Sequence, residues 1–370
     1  MSGSALREHA EWRRGVLGRE IDDFLARNAA ASRDITSLPA YKRALEFLAE
    51  ADKLLAESSS NNELFNLTAS RRSYWNSLLH AQVEVDKLRH TEVDPNVGWV
   101  GFRAVPAARG EEEWLAVDTQ LMTIFLDPSL GGAIMEFDYK PRKVNLVCGN
   151  SLYETFEHRP SDGHVARPRM RPKREHSSME IPPYAVLRST PDTLVLRFRE
   201  ELSTVDEQRC VVVKDVTFRA GIGAHLPNAT TGFSVETWLE GMPESVSEEL
   251  VLIQQWEFVL PSGRAESCRL RPLLCVGGVS ERELELKAEK RFLHTTELPG
   301  GLYGLRFVDE AESFSMDLRV AKPLHGLSYR LVEIGQSGAL SSQCFEIALI
   351  YSAKRLRDDE HTNTLYLSIV

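Results

Sequence analysis

The chain has 370 residues, of which 42% are hydrophobic and 26% charged, and a formal net charge of −10. Its length exceeds one average domain and allows a sizeable buried core. The acidic balance argues against general nucleic-acid binding, and no apolar run approaches the roughly 18 residues that a membrane-spanning helix needs.

From residue 6 to 88 the pattern is helical. Leu17, Ile21, Phe24 and Leu25 recur at spacings of three and four, as do Tyr41, Ala44, Leu45, Leu48, Ala51 and Leu55. Three helices fit this stretch, with Ser37 and Pro39 forming a cap and first turn for the second. Ser60-x-x-Glu63 reads as a capping box opening the third. Residues 1–94 are therefore expected to form a three-helix domain.

After Asp94-Pro95 the period changes to two. Strands are expected at 121–126, 133–139, 194–199, 210–218, 233–239, 251–260, 303–308, 345–351 and 364–369. Many strands separated by turn residues imply a large antiparallel β-sandwich over residues 95–370. The fold class expected is α+β, a three-helix bundle packed on a mutarotase-like sandwich. Within the sandwich, 159–184 reads as a long basic, Pro-rich loop, with a docking arm for an acidic partner or phosphate-bearing ligand as the functional alternative.

The N-terminus has no apolar h-region, so a cytoplasmic location is expected. The five cysteines contain no C-x-x-C pair, which leaves no disulfide framework or zinc ribbon. His158, His164 and His176 match no metal-ligand spacing. Gly221-Ile222-Gly223 lacks the rest of a phosphate loop and reads as a turn. No metal or cofactor is expected.

The chemistry-bearing candidates are few. Strand alternation places Ile134, Glu136 and Asp138 on one face and Met135, Phe137 and Tyr139 on the other. The two carboxylates then stand with Cα atoms about 7 Å apart, a spacing that does not exclude acid and nucleophile roles. Their alternative is an ion-paired strand face beside Lys140, Arg142 and Lys143. Tyr74-Trp75 lies within the third helix, where Trp75, Leu78 and Leu79 share a face. A core stripe is the default there. A sugar-stacking platform flanked by Arg71 and Arg72 is the alternative, and it requires Trp75 to be exposed.

The run from Gly131 to Pro141, GGAIMEFDYKP, resembles the GG-x-x-x-E-x-DYK segment of family-57 glycoside hydrolases, the α-amylase and 4-α-glucanotransferase group. Asp127-Pro128, Asn145-Leu146, Tyr153-Glu154 and Glu157-His158 extend the likeness. Ser73-Tyr74-Trp75 is similar to the A-Y-W of that family's helical domain, although Arg71, Arg72, Asn76, Ser77, His80 and Ala81 depart from its pattern. The resemblance implies that 131–158 opens a C-terminal β-sandwich, with Glu136, Asp138, Glu157 and His158 as fold markers or binding residues. Arg71, Tyr74 and Trp75 become the sugar-contact candidates. It also implies that nucleophile and acid belong to a (β/α) barrel preceding the helices, and no alternating strand-helix region occurs here.

The function expected is that of a non-catalytic, carbohydrate-associated protein that binds an α-glucan or oligosaccharide or serves as an assembly subunit. The alternative is one subunit of a split α-amylase or 4-α-glucanotransferase, completed by a separate barrel chain. An independent enzyme using Glu157 and His158 on a sandwich face is a third reading.

Overall fold

Three helices lead the chain: α1 (Gly3–Ala30), α2 (Pro39–Glu57) and α3 (Thr68–Arg89). The computed structural model describes residues 3–31, 33–57, 68–90, 98–108, 112–147, 151–158, 184–203, 209–220, 231–242, 249–275, 278–334, 342–357 and 362–369. The expected capping box at Ser60 and Glu63, the basic segment 159–183 and Gly221-Ile222-Gly223 lie outside these residues. Pro39 is the first residue of α2, where a missing N–H forfeits no intrahelical bond.

The helices bury one face each. Ala10, Leu17 and Ile21 of α1 meet Ala44, Leu48 and Ala51 of α2 and Tyr74, Trp75, Leu78, Ala81 and Val85 of α3. These positions keep the rhythm of three and four that the sequence displays. Small alanines at 10, 44, 51 and 81 let the backbones approach around the bulkier Tyr74 and Trp75.

The rest is β. A front sheet has the order β1 (Val100–Pro106), β2 (Glu113–Thr119), β3 (Met122–Asp127), β4 (Ala133–Tyr139) and β5 (Val144–Asn145). A wide eight-stranded sheet runs β12 (Cys268–Pro272), β14 (Gly304–Asp309), β15 (Phe314–Val320), β18 (Asn363–Ile369), β10 (Thr231–Glu240), β9 (Arg209–Arg219), β8 (Thr193–Ser203) and β7 (Tyr184–Thr190). A second five-stranded sheet runs β13 (Arg291–His294), β16 (Gly326–Ile334), β17 (Ser342–Ser352), β11 (Leu250–Val259) and β6 (Tyr153–His158). Neighbouring strands pair antiparallel, for example β8 with β9 and β11 with β17. This is the α+β architecture that the shift from helical to two-residue periodicity predicts.

One apolar core joins all three sheets. Val117 and Ile124 come from the front sheet, Trp256 and Leu349 from the second, and Leu196, Val216 and Leu367 from the wide one. Antiparallel bridges Ile134 to Ser151 and Val147 to Phe258 link the front sheet to the second five-stranded sheet. The opposite face of the front sheet meets α1, where Val16 and Trp12 pack with Val105, Trp114, Ala116 and Phe125. The helices therefore cover one side of a sheet whose other side faces the sandwich core.

The glycine pair sets this geometry. A 3-10 turn at Pro128–Leu130 is capped by the Asp127 side chain, which accepts from the Ser129 N–H, and the chain leaves it through Gly131 at φ 63° and Gly132 at φ 79°. Both are left-handed conformations that favour glycine. A Cβ at Gly132 would fall 2.5 Å from Phe198 Cγ on β8, so this turn also needs glycine for close approach.

The simple alternation expected along β4 does not hold. The register against β3 shifts between Phe125 and Leu126, so Phe125 faces Glu136 while Leu126 faces Ile134. This bulge places one extra residue on β4 and re-phases the strand. Ile134 joins Phe137 and Tyr139 in the sandwich core, and Met135 packs in the helix-side cluster instead. The expectation that Ile134 shares a face with Glu136 is corrected accordingly.

Candidate functional site

The sequence-predicted residues Tyr74, Trp75, Glu136 and Asp138 converge between the helices and the front sheet. α1 supplies what joins them. Arg13 lies on the buried stripe with Ala10 and Leu17, and its side chain is fully buried. Its Nε donates to Glu136 Oε1 at 2.9 Å and to Asp138 Oδ2 at 3.1 Å. The guanidinium carbon stands 5.0 Å from the Phe125 ring centroid. His9, one turn earlier, brings Nε2 to 2.5 Å from Glu136 Oε2.

One guanidinium thus faces two carboxylates. Burial, and then the Glu136 charge, push Asp138 well above the usual carboxylate range. Burial also raises Glu136, with Arg13 opposing the shift. Burial alone would lower Arg13, but the Asp138 and Glu136 charges hold it protonated. Asp138 Oδ1 has no hydrogen-bond partner among the described residues.

A second ion cluster extends the seam. Lys140 Nζ donates at 2.6 Å to each of Asp86 Oδ2 on α3, Asp118 Oδ1 on β2 and the Thr119 carbonyl. Gln82 bridges the clusters, since its amide donates to Asp86 at 3.0 Å and its carbonyl accepts from Arg13 at 3.4 Å. Burial pushes Asp86 up to about 6, with the Lys140 charge opposing the shift. Breaking a buried pair by removing one partner typically costs about 3–5 kcal/mol, because it strands the other charge. These ions therefore fix α1 and α3 to one position on the front sheet.

Such geometry suits anchoring and not acid-base chemistry. Both β4 carboxylates are 0% exposed and contact protein groups. The expected salt-bridged face thus involves Arg13 of α1 with Glu136 and Asp138, while Lys140, in the turn just after β4, binds a different carboxylate pair. A sugar-stacking Trp75 required exposure, yet Trp75 is only 7% exposed and Tyr74 is 0%. The Tyr74 hydroxyl donates to the Ala10 carbonyl at 2.5 Å, and its ring meets Trp75 edge-on at 5.2 Å. Both aromatics belong to the helical core and Trp75 offers no open face to a pyranose. Arg72 pairs with Glu312 at 2.5 Å, tying α3 to a turn of the sandwich. The side chain of Arg71 lies outside the described residues.

The far end of the motif contributes differently. Glu154 on β6 accepts from Lys214 Nζ at 2.6 Å and from the Gln254 amide at 3.0 Å, inside the sandwich. Lys214 also donates to the Leu152 carbonyl at 2.8 Å. Glu157 pairs with Val251 across the strands, and both its carboxylate oxygens are buried without a hydrogen-bond partner among the described residues. Burial pushes its pKa up to about 7, with Lys290 opposing. The His158 side chain lies outside the described residues.

Sequence reasoning did not single out Arg13, His9 or Lys214. The usable signal was Arg13 itself, a charge at helical spacing from Ala10 and Leu17 on an otherwise apolar stripe. Among the described residues, no group of three or more His, Cys, Asp or Glu could hold a metal ion. No described helix is long and apolar enough to cross a membrane.

No protein-family model and no curated protein sequence matches the chain. Among solved structures, it is similar to a 4-α-glucanotransferase from Thermococcus litoralis, at 11% identity and a TM-score of 0.50, over 98% of this chain and 57% of that one. A galactose mutarotase-like protein from Clostridium acetobutylicum is similar over 74% of this chain and 98% of its own, at 10% identity and a TM-score of 0.41. A putative aldose 1-epimerase from Escherichia coli K12 is similar over 73% of this chain and 99% of its own, at 12% identity and a TM-score of 0.37. At these identities the likeness is one of fold, and the chain spans 57% of the length of the transferase.

Proposed function

We propose that this chain is a carbohydrate-associated protein without glycosidase chemistry of its own, binding an α-glucan or oligosaccharide or acting as an assembly subunit. The observation that carries this reading is the likeness to a 4-α-glucanotransferase along 98% of the chain. It coincides with the sequence resemblance at 131–158. Glu136 and Asp138 of that segment are held by Arg13 and His9 and are not open to a sugar. Isothermal titration with maltoheptaose and glycogen tests the reading, with reducing ends followed in the same samples. Binding with reducing ends at background supports it, and hydrolysis by the pure chain overturns it.

A second reading, one subunit of a split α-glucan enzyme completed by a barrel chain, has support of its own. The likeness leaves the rest of the transferase without a counterpart in this chain. In addition, Leu38 and Leu45, two helical turns apart beside and within α2, are 39% and 41% exposed. Co-expression with a barrel chain followed by gel filtration decides this reading. Co-elution lost on Leu45→Lys supports it, and separate elution of the two chains removes it.

A further inference from the structure

The wide sheet turns one face to the core and the other outward. On the outward face, register places Arg197 of β8, Asp215 of β9 and Glu236 of β10 in one row across three strands. Trp238 lies two residues further along β10, opposite Val213. With Glu240, Gly241, Arg357 and Thr362 these residues line a groove of about 520 Å3. That volume falls within the roughly 300–1,000 Å3 of small-molecule sites.

A solvated antiparallel face needs no tryptophan, and this one is only 5% exposed. Arg197 covers it, with the guanidinium carbon 5.0 Å from the ring centroid, and Val213 beneath is fully buried. The same guanidinium forks onto Asp215, with both bonds at 2.7 Å. A fork held by two bonds and a ring has little rotamer freedom left to lose on binding. Glu240 is fixed by Arg199 at 2.9 Å. Two groups are left without partners among the described residues: the exposed Glu236 carboxylate, an acceptor, and the Trp238 indole N–H, a donor.

We propose that this groove binds a neutral oligosaccharide, a proposal that rests on the carbohydrate-associated reading above. The charges select the class. Asp215 is paired with Arg197 and Glu240 with Arg199, so Glu236 is the carboxylate that a ligand meets, and it favours a neutral ligand that donates hydroxyls over an anion. A polyol matches the set, because each hydroxyl donates to a carboxylate and accepts from a guanidinium or indole N–H at once. Trp238, buried beneath Arg197, offers no open face for stacking; it backs the guanidinium and contributes its indole N–H as a donor.

The test is titration of maltoheptaose, cellohexaose and a polygalacturonate oligomer into the wild-type chain, Glu236→Ala and Trp238→Phe, with each fold checked by circular dichroism. Glu236 is exposed, so its variant keeps the fold independently of Trp238. The proposal expects one neutral oligomer to bind and the uronate not to. It expects Glu236→Ala to weaken binding about tenfold or more, as loss of a charge-assisted hydrogen bond does. Wild-type binding that neither variant weakens overturns the groove and leaves the carbohydrate reading intact. No binding of any oligomer by the wild type overturns both the groove and the glycan-binding form of that reading, and preference for the uronate overturns the assignment of a neutral ligand.

Discussion

The seam between helices and front sheet and the groove on the wide sheet are built from the same residue types, yet they do opposite things. Each has arginine between carboxylates with tryptophan close by. In the seam Arg13, Glu136 and Asp138 are entirely buried, and Trp12, Trp75 and Trp114 surround His9 with ring centroids 5.0 to 6.3 Å away. In the groove Glu236 is exposed and Arg197 is partly so. A carboxylate pair beside an aromatic is thus no sign of a binding site until access is known. Buried, it holds two layers together; open, it offers donors and acceptors to a ligand.

The largest expected effect lies in the seam. Arg13→Met leaves Glu136 and Asp138 buried without their cation, and chemical denaturation should show a loss of about 3–5 kcal/mol. A change below about 1 kcal/mol would mean that the seam is wetter than its burial indicates. The next effect is a pH dependence at Glu157. Its folded pKa of about 7 lies above the unfolded 4.5, so protonation favours the fold fully below the unfolded value. That stability is lost as pH rises through the folded value. Glu157→Gln should therefore raise Tm at about pH 8 and leave it unchanged at about pH 4. Equal melting of both proteins across that range would remove the unpaired carboxylate from the account. The smallest effect is Asp138→Asn, which mimics the protonated acid and should cost under about 1 kcal/mol at neutral pH. It should also flatten the rise in stability toward acid that a raised carboxylate pKa produces. A loss as large as that of Arg13→Met would place the charge on Asp138 after all.

Much of the fold was legible because periodicity reports burial directly. The change from three-four to two near residue 95 separates α3 from β1, and the glycine pair marks a turn that needs left-handed backbone and room for Phe198. The bulge in β4 was not legible, since one extra residue leaves no trace in composition and only the β3 register reveals it. Strands such as β1 and β7 lack a clean alternation, and β7 is exposed along most of its length. The candidate site was half legible. Residues 74, 75, 136 and 138 do come together, but Arg13, 123 positions before Glu136, decides their role. Long-range charge pairing of this kind has no local pattern. The groove was hidden for the same reason: it depends on side chains from β8, β9 and β10 aligned by register.

Buried carboxylates hold this molecule together, and open ones are proposed to hold its ligand. Titrating the best-bound neutral oligosaccharide into Asp138→Asn and Glu236→Ala side by side tests it most directly. The expected affinity is within about twofold of wild type for the first and at least about tenfold weaker for the second. The reverse order, in two variants that both remain folded, would contradict it.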